Sequence, residues 1–106
     1  MKSSADRSAL LQQLCEGIVR LLQPVSIIVF SQKQDAAGRL QSVKLCVIIS
    51  NGDSEEAERC LYMELESDMP FDALVYTKEE WEDLLSSPGS FACRIRETGS
   101  VLYEKN

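Results

Sequence analysis

Two short runs of apolar, largely β-branched residues constrain the fold of this chain more than any other feature. They are VSIIVF, Val25–Phe30, and SVKLCVIIS, Ser42–Ser50. Neither run shows a sustained alternation of apolar and polar residues, so each predicts a strand that is covered on both faces. The segment between them, Gln32–Gln41, is polar and contains Gly38, which predicts a loop. The chain is therefore expected to build a sheet with helices on both sides.

Helical patterns lie before and after these two strands. Leucine and isoleucine recur about every four residues over a helix from about Ala5 to Leu22, with Ser4 as its predicted cap. Asp53 or Ser54 is expected to open a second helix through EEAERCLYMELE.

The C-terminal part of the chain contains clear start and stop signals. Pro70 precedes a third predicted strand, FDALVY, and Thr77 with Glu80 forms a Thr-x-x-Glu capping box for a short helix. A last helix over residues 90–97 is expected to stop at Gly99 in the left-handed conformation, followed by the strand SVLYE. The order αββαβααβ predicts a single domain over residues 1–106, of the α/β (α+β) class, with helices packed on a small mixed β-sheet.

Charge and hydropathy exclude several classes of protein. The chain has 17 acidic and 11 basic residues, a net charge of −6, and its lysines and arginines are scattered singly. Such a surface repels a phosphate backbone, so no nucleic-acid partner is expected. No apolar run approaches the ~20 residues of a membrane span, and the N-terminus lacks the apolar core of a signal peptide. We therefore expect no membrane contact and a cytoplasmic location.

The four cysteines, Cys15, Cys46, Cys60 and Cys93, are far apart and lie within apolar patterns. The chain has no CxxC pair and no histidine, so we expect no metal site of the zinc type, no histidine-based triad and no histidine general base. Buried, reduced thiols are expected, and two disulfides are the alternative.

Two segments together resemble a known family. PFDALVYTKEEWEDLLSSPGSFACRIRETGSVLYE, residues 70–104, and VRLLQPVSIIVF, residues 19–30, are similar to the minimal nucleotidyltransferases of the DNA polymerase beta-like superfamily. Relatives include kanamycin nucleotidyltransferase and the antitoxin that partners HEPN proteins. The resemblance covers essentially the whole chain and implies a nucleotidyltransferase-like fold.

The resemblance also implies an active-site pattern. The family has Gly-Ser after the first strand, Asp-x-Asp on the second and a third carboxylate on the next. Glycine lets the backbone approach the nucleotide phosphates, and serine donates a hydrogen bond to them. Two acids at i and i+2 on a strand point to one face and hold magnesium, and the third helps to activate the attacking hydroxyl.

This chain departs from that pattern at almost every position. A gap-free comparison places Ser31-Gln32 at the Gly-Ser and places Val43 and Leu45 at the two aspartates. The family's phosphate contacts are therefore carried over only to Ser31 and Gln32, in degenerate form.

A strand slipped by one residue would present Lys44 and Cys46 instead, and a lysine beside a magnesium site repels the ion. Asp72 is then the only retained catalytic carboxylate of the family, and one carboxylate does not rebuild a two-metal clamp. A solvated or turn-bonded aspartate is the alternative interpretation of Asp72.

Asp35 lies in the loop near the expected mouth, and Asp53 lies just past the second strand. Lys33 and Arg39 flank the loop that contains Asp35, where attraction of an anion is the alternative role for them. Each is most simply a solvated loop residue. The sequence therefore predicts a degenerate active site, and no cofactor. Magnesium and nucleotide are implied only if the chain is active.

The expected function is binding of a protein partner by a catalytically inactive nucleotidyltransferase fold. The resemblance implies a HEPN-domain protein or a homo-oligomer as that partner. The helix face containing Leu61, Tyr62 and Leu65 is a candidate surface, with ordinary core packing as the alternative. The alternative functions are an active metal-dependent nucleotidyltransferase with reorganised carboxylates, and a nucleotide-binding sensor.

Overall fold

A computed structural model describes residues 2–67 and 69–105, with the side chains of the first helix described from residue 9. The elements run in the predicted order αββαβααβ. They are α1 (Lys2–Leu22), β1 (Ser26–Gln34), β2 (Leu40–Ile49), α2 (Ser54–Glu64), β3 (Phe71–Thr77), α3 (Lys78–Leu85), α4 (Phe91–Thr98) and β4 (Ser100–Glu104). Because α1 begins at Lys2, Ser4 lies inside the helix, and the prediction that it caps the helix is wrong.

The four strands form one mixed sheet in the order β3-β2-β1-β4. β1 pairs antiparallel with both β2 and β4, whereas β2 and β3 are parallel. Helix α2 makes the crossover between the parallel strands, as such a connection requires. The predicted α/β class, with helices packed on a small mixed sheet, is confirmed.

The first two strands form a hairpin that is longer than the sequence predicts. β1 continues to Gln34 and β2 already begins at Leu40, so the predicted loop over residues 32–41 is too long. Backbone pairing with β2 keeps the polar end of β1 extended although its side chains are exposed. The remaining turn is built by Asp35, whose side chain accepts hydrogen bonds from the backbone N–H groups of Ala37 and Arg39. Gly38 supplies the positive φ of 83° that closes the turn.

Each face of the sheet has its own apolar cluster. Helices α1 and α2 cover one face, where Leu14, Ile18 and Leu61 pack on buried residues of β1, β2 and β3. Helices α3 and α4 cover part of the other face, where Trp81 and Ile95 join a second cluster. We call these two sides the α1/α2 face and the α3/α4 face.

The capping signals of the second half are largely confirmed. Asp53 caps α2 by accepting from the N–H groups of Glu55 and Glu56. Thr77 and Glu80 form the predicted capping box at the start of α3.

The role predicted for Gly99 is wrong. Its φ is −81°, which is outside the left-handed region. A Cβ at this position would lie 2.6 Å from both the Ile28 Cγ2 atom and the Ile95 carbonyl oxygen. Glycine is therefore required by the close approach of α4 to β1, and a left-handed stop is not involved.

Within the described residues, no helix combines the length and the apolar character needed to cross a membrane. The cytoplasmic location stays a prediction.

Candidate functional site

Three exposed polar residues form a row across the sheet, one from each of three neighbouring strands. Ser31 of β1 is paired with Lys44 of β2, which is in turn paired with Asp72 of β3. All three are exposed. Residues that are paired across a sheet share a face, so this row lies on one face of the sheet.

The burial of β2 identifies that face. Val43, Leu45 and Val47 belong to the core under α1 and α2, whereas Cys46 and Ile48 belong to the cluster under α3 and α4. Lys44 lies between Val43 and Leu45, so it points to the α3/α4 face. The row therefore occupies the part of the α3/α4 face that the two short helices leave uncovered.

Asp72 is beside the Val43–Leu45 segment, as the sequence predicts. It does not share a sheet face with Val43 and Leu45, the positions that the gap-free comparison assigns to the two aspartates. Val43 and Leu45 are 2% and 0% exposed and face the opposite core. The β2 residues on the face of Asp72 are Lys44 and Cys46, those of the slipped register. Because Cys46 is 0% exposed, Lys44 alone is accessible there.

Ser31 and Gln32, the positions of the family's Gly-Ser, point to opposite sides of the sheet. Gln32 is paired with Val43 and belongs to the α1/α2 side, where it is exposed. An irregularity in the pairing between Val29 and Ser31 makes Phe30 an extra residue. The structure thus aligns Ser31, Lys44 and Asp72 in one row and leaves Gln32 outside that row.

Aromatic side chains border the row at β1. Phe30 contacts Phe91 at the start of α4 edge to face, with ring centroids 5.6 Å apart. Phe91 is about half exposed, and Ser90 caps α4 by accepting from the Cys93 N–H. The row is therefore an exposed surface beside one aromatic pair, and it is not an enclosed pocket.

The two loop acids that the sequence offers as substitutes are engaged in holding the backbone. Asp35 accepts hydrogen bonds within its turn and from the side chains of Arg39 and Gln41. The backbone N–H of Arg39 is the main cause that lowers the pKa of Asp35. Asp53 is the α2 cap. Neither acid is free to join Asp72, and Lys33 is an exposed strand residue.

A second candidate site, which the sequence did not predict as one, lies where the parallel strands end. Ser50, Asn51 and Gly52 follow β2, and Thr77 ends β3; together with residues of α3 they line an open cleft of about 800 Å³. Carboxyl ends of parallel strands commonly bind ligands. The Asn51-Gly52 turn and the Thr77–Glu80 capping box are the sequence signals at this edge, and each by itself indicates only local structure.

The electrostatics of this cleft oppose a phosphate ligand. The N-termini of α2 and α3 both open onto it, but the chain's own side chains cap them. Glu80 accepts from the Thr77 N–H at 2.8 Å and from the Ser54 hydroxyl at 3.4 Å, and these contacts lower its pKa. Glu79, Glu82 and Asp83 line the same cleft. A negative phosphate would meet these carboxylates. Among the side chains described, those of residues 9–67 and 69–105, no trio of potential metal ligands occurs.

Cys46, the cysteine on the face of the row, offers no thiolate chemistry there. All four are free thiols, as predicted, and Cys46 is buried. Burial raises the pKa of Cys46 to about 12, so the thiolate required for nucleophilic attack or metal binding is absent at neutral pH. Burial also raises the pKa of Cys15.

Comparisons of the chain with models of protein families, with curated proteins and with solved structures gave no match.

Proposed function

We propose that this chain is a nucleotidyltransferase-like protein that does not transfer nucleotides and acts by binding a protein partner. One observation carries the proposal. On the sheet face that contains Asp72, strand β2 presents Lys44 and the buried Cys46, and no carboxylate. In either register of β2, both aspartates of the Asp-x-Asp pair that the resemblance implies are missing, and of the three carboxylates only the third is retained, as Asp72.

The chemistry explains why this loss matters. Phosphoryl and nucleotidyl transfer depend on positioning and on metal ions that neutralise developing charge. Lys44 places a positive charge next to the remaining carboxylate, where a magnesium ion would have to bind. A positive side chain there disfavours a divalent cation, so Asp72 is a poor metal ligand.

The two loop acids support the same proposal. Asp35 holds its own turn and Asp53 caps a helix, so recruiting either to a metal would remove backbone hydrogen bonds that build the fold. The acidic cleft at the strand ends repels the phosphates of a nucleotide.

The proposed partner is a protein, either of the HEPN type that the resemblance implies or a second copy of this chain. Most of the helix face suggested by the sequence is closed to this contact, and only Tyr62 remains accessible, at 50% exposure. Leu61 and Leu65 are buried in the core, and Tyr62 packs against β3. Exposed apolar side chains remain elsewhere, at Met63 and Val101.

The test is an assay for nucleotide transfer. Purified protein is incubated with radiolabelled ATP, GTP, CTP or UTP and magnesium or manganese, alone and with a candidate HEPN-type partner. We expect no label on either protein. Magnesium titration by calorimetry, with and without nucleotide, is expected to give no binding heat.

Asp72→Asn is the matched control, since it removes only the charge of the remaining carboxylate. Incorporation by the natural protein that disappears in Asp72→Asn would refute the proposal in favour of an active enzyme. Nucleotide binding without transfer would instead favour a sensor. Capture of one protein from the native host at near-equal stoichiometry would support the binding role.

A further inference from the structure

The turn between β2 and α2 contains an Asn-Gly pair that the fold leaves open to water. β2 ends at Ile49 and α2 begins at Ser54, and the residues between them belong to no helix or strand. Asn51 and Gly52 are both exposed. Both line the cleft at the ends of the parallel strands, and Asn51 also lines a second open cavity of about 360 Å³ beside the end of α1. Water therefore reaches Asn51 from two sides.

The backbone of Gly52 is not held by its surroundings. Its φ is 104°, a value that glycine adopts without strain. Nothing lies within 4 Å of the position that a Cβ would occupy. Within the described part of the chain, the Gly52 N–H donates no hydrogen bond to a backbone acceptor. The Gly52 nitrogen is therefore able to approach the Asn51 side chain without a steric clash and without losing a backbone hydrogen bond.

This combination occurs once in the sequence. The chain has two asparagines, Asn51 and Asn106, and only Asn51 precedes a glycine. The next residue, Asp53, is held in place, because its side chain accepts from the N–H groups of Glu55 and Glu56. Asparagine is among the chemically labile residues, and a following glycine offers no side chain to hinder attack by its nitrogen.

We propose that Asn51 is a site of spontaneous covalent modification, at which the side-chain amide is replaced by a carboxylate. The reactants are Asn51, the Gly52 nitrogen and water. The inference concerns the turn alone, so it does not depend on the proposed binding role.

The reaction consumes water and releases ammonia. The Gly52 nitrogen loses its proton to hydroxide and forms a bond to the side-chain carbonyl carbon of Asn51. The bond from that carbon to the amide nitrogen breaks, and the nitrogen takes up a proton and leaves as ammonia. Water then opens the five-membered imide at one of its two carbonyls. Opening at the side-chain carbon gives aspartate, whereas opening at the main-chain carbon gives isoaspartate.

Both products add a negative charge to a region that is already acidic. One neutral amide becomes one carboxylate, so the net charge changes from −6 to −7. Charged side chains also line the two cavities around Asn51, namely Glu79, Glu80, Glu82 and Asp83 of the cleft and Asp53 and Lys105 of the second cavity. The modified turn is therefore expected to repel phosphate more strongly than the unmodified turn does.

Isoaspartate has a further effect, which aspartate lacks. It lengthens the main chain between β2 and Asp53 by one methylene group. The Asp53 side chain accepts from Glu55 and Glu56 at 3.0 and 3.3 Å. A shift by one carbon–carbon bond, about 1.5 Å, is enough to break such contacts. The isoaspartate form is therefore expected to lose the cap of α2, which should lower the melting temperature by roughly 2–10 °C.

The test compares the folded protein with a synthetic peptide of residues 45–59 during incubation in the same buffers. Trypsin cleaves after Lys44 and Arg59, and Asn51 is the only amide side chain in the segment released. Peptide mass spectrometry detects the replacement of NH by O, and fragmentation at the extra methylene distinguishes isoaspartate from aspartate.

We expect conversion in the folded protein at a rate within about tenfold of that in the peptide, since an open turn reacts without unfolding. The rate should rise about tenfold per pH unit between about pH 6 and pH 8, as the deprotonated fraction of an amide nitrogen does. Carboxylate and ammonium groups change charge outside that range, so the slope belongs to the reaction.

Asn51→Gln is the matched control, because a glutamine would need to close a larger ring, and it is expected to stay unmodified. Gln41, an exposed amide elsewhere in the chain, is the internal control. Retention of Asn51 in the folded protein, or conversion more than about tenfold slower than in the peptide, would overturn the proposal.

Asn51→Asp separates the effect of charge from the effect of the added methylene. The isoaspartate form, purified by ion exchange, is expected to melt below Asn51→Asp, which has the same charge and a normal main chain. Equal melting temperatures would overturn the effect on the α2 cap.

Discussion

Lys44 of β2 and Asp72 of β3 are direct partners in the parallel part of the sheet, and both are exposed on the same face. This pairing determines which β2 residues accompany Asp72. They are Lys44 and Cys46, whereas Val43 and Leu45 face the core under α1 and α2. A site built around Asp72 therefore has a lysine where a second carboxylate would be needed.

The pairing predicts opposite outcomes for two neighbouring substitutions. Val43→Asp places a carboxylate in the core with no partner and is expected to cost about 3 kcal/mol or more of unfolding free energy. Lys44→Asp changes an exposed side chain and is expected to cost at most about 1 kcal/mol. Urea unfolding of the two variants measures the difference. Similar losses in both would contradict the assignment of faces.

The element order and most helix caps were predictable because they depend on local signals. Apolar runs, the Asp53 cap and the Thr77–Glu80 box act over a few residues, and all appear where the sequence places them. The face of Val43 was not predictable in this way. A shift of one residue in strand pairing exchanges the two faces, and that shift is decided by partners distant in the sequence.

The extended conformation at the polar end of β1 was not predictable for the same reason. Residues 31–34 have the composition of a loop, but they extend the sheet because β2 offers backbone partners. Similarly, nothing local distinguishes a glycine needed for a left-handed stop from one needed for close packing. The open cleft at the ends of β2 and β3 also arises only when the parallel strands and two helix N-termini come together.

Glu80 is expected to make stability depend on pH. The Thr77 N–H, followed by the Ser54 hydroxyl, holds the pKa of Glu80 below its ordinary value. Since the pKa is lower in the folded state, the charged carboxylate stabilises the fold above the unfolded pKa. That contribution is lost as the pH falls through the folded pKa.

Glu80→Gln keeps the capping geometry but removes this charge. The melting temperature of the natural protein should therefore exceed that of Glu80→Gln at pH 7, and the difference should shrink below about pH 4. Glu79→Gln, in the same turn, is the matched control and should not reproduce this pH dependence. A difference between the natural protein and Glu80→Gln that stays constant from pH 7 to pH 3 would contradict the assigned role.

The cysteines should differ in their reactivity in the folded protein. Cys46 is 0% exposed and its pKa is about 12, so iodoacetamide at pH 8 is expected to leave it unmodified until the protein unfolds. Cys60 and Cys93 are partly exposed and should react first. Mass spectrometry of peptides, before and after denaturation, measures this order. Early labelling of Cys46, or an intramolecular disulfide, would refute the burial and the reduced state.

Gly99 offers a test between two explanations of one glycine. A Cβ there would come within 2.6 Å of the Ile95 carbonyl oxygen and of Ile28, so Gly99→Ala is expected to cost about 1–3 kcal/mol. Gly99→Asn, with a larger side chain, is expected to cost at least as much. Asparagine tolerates a left-handed stop better than alanine does. Urea unfolding in which Asn proves milder than Ala would therefore restore the left-handed explanation, and Ser100→Ala at the exposed neighbour is the control that should change little.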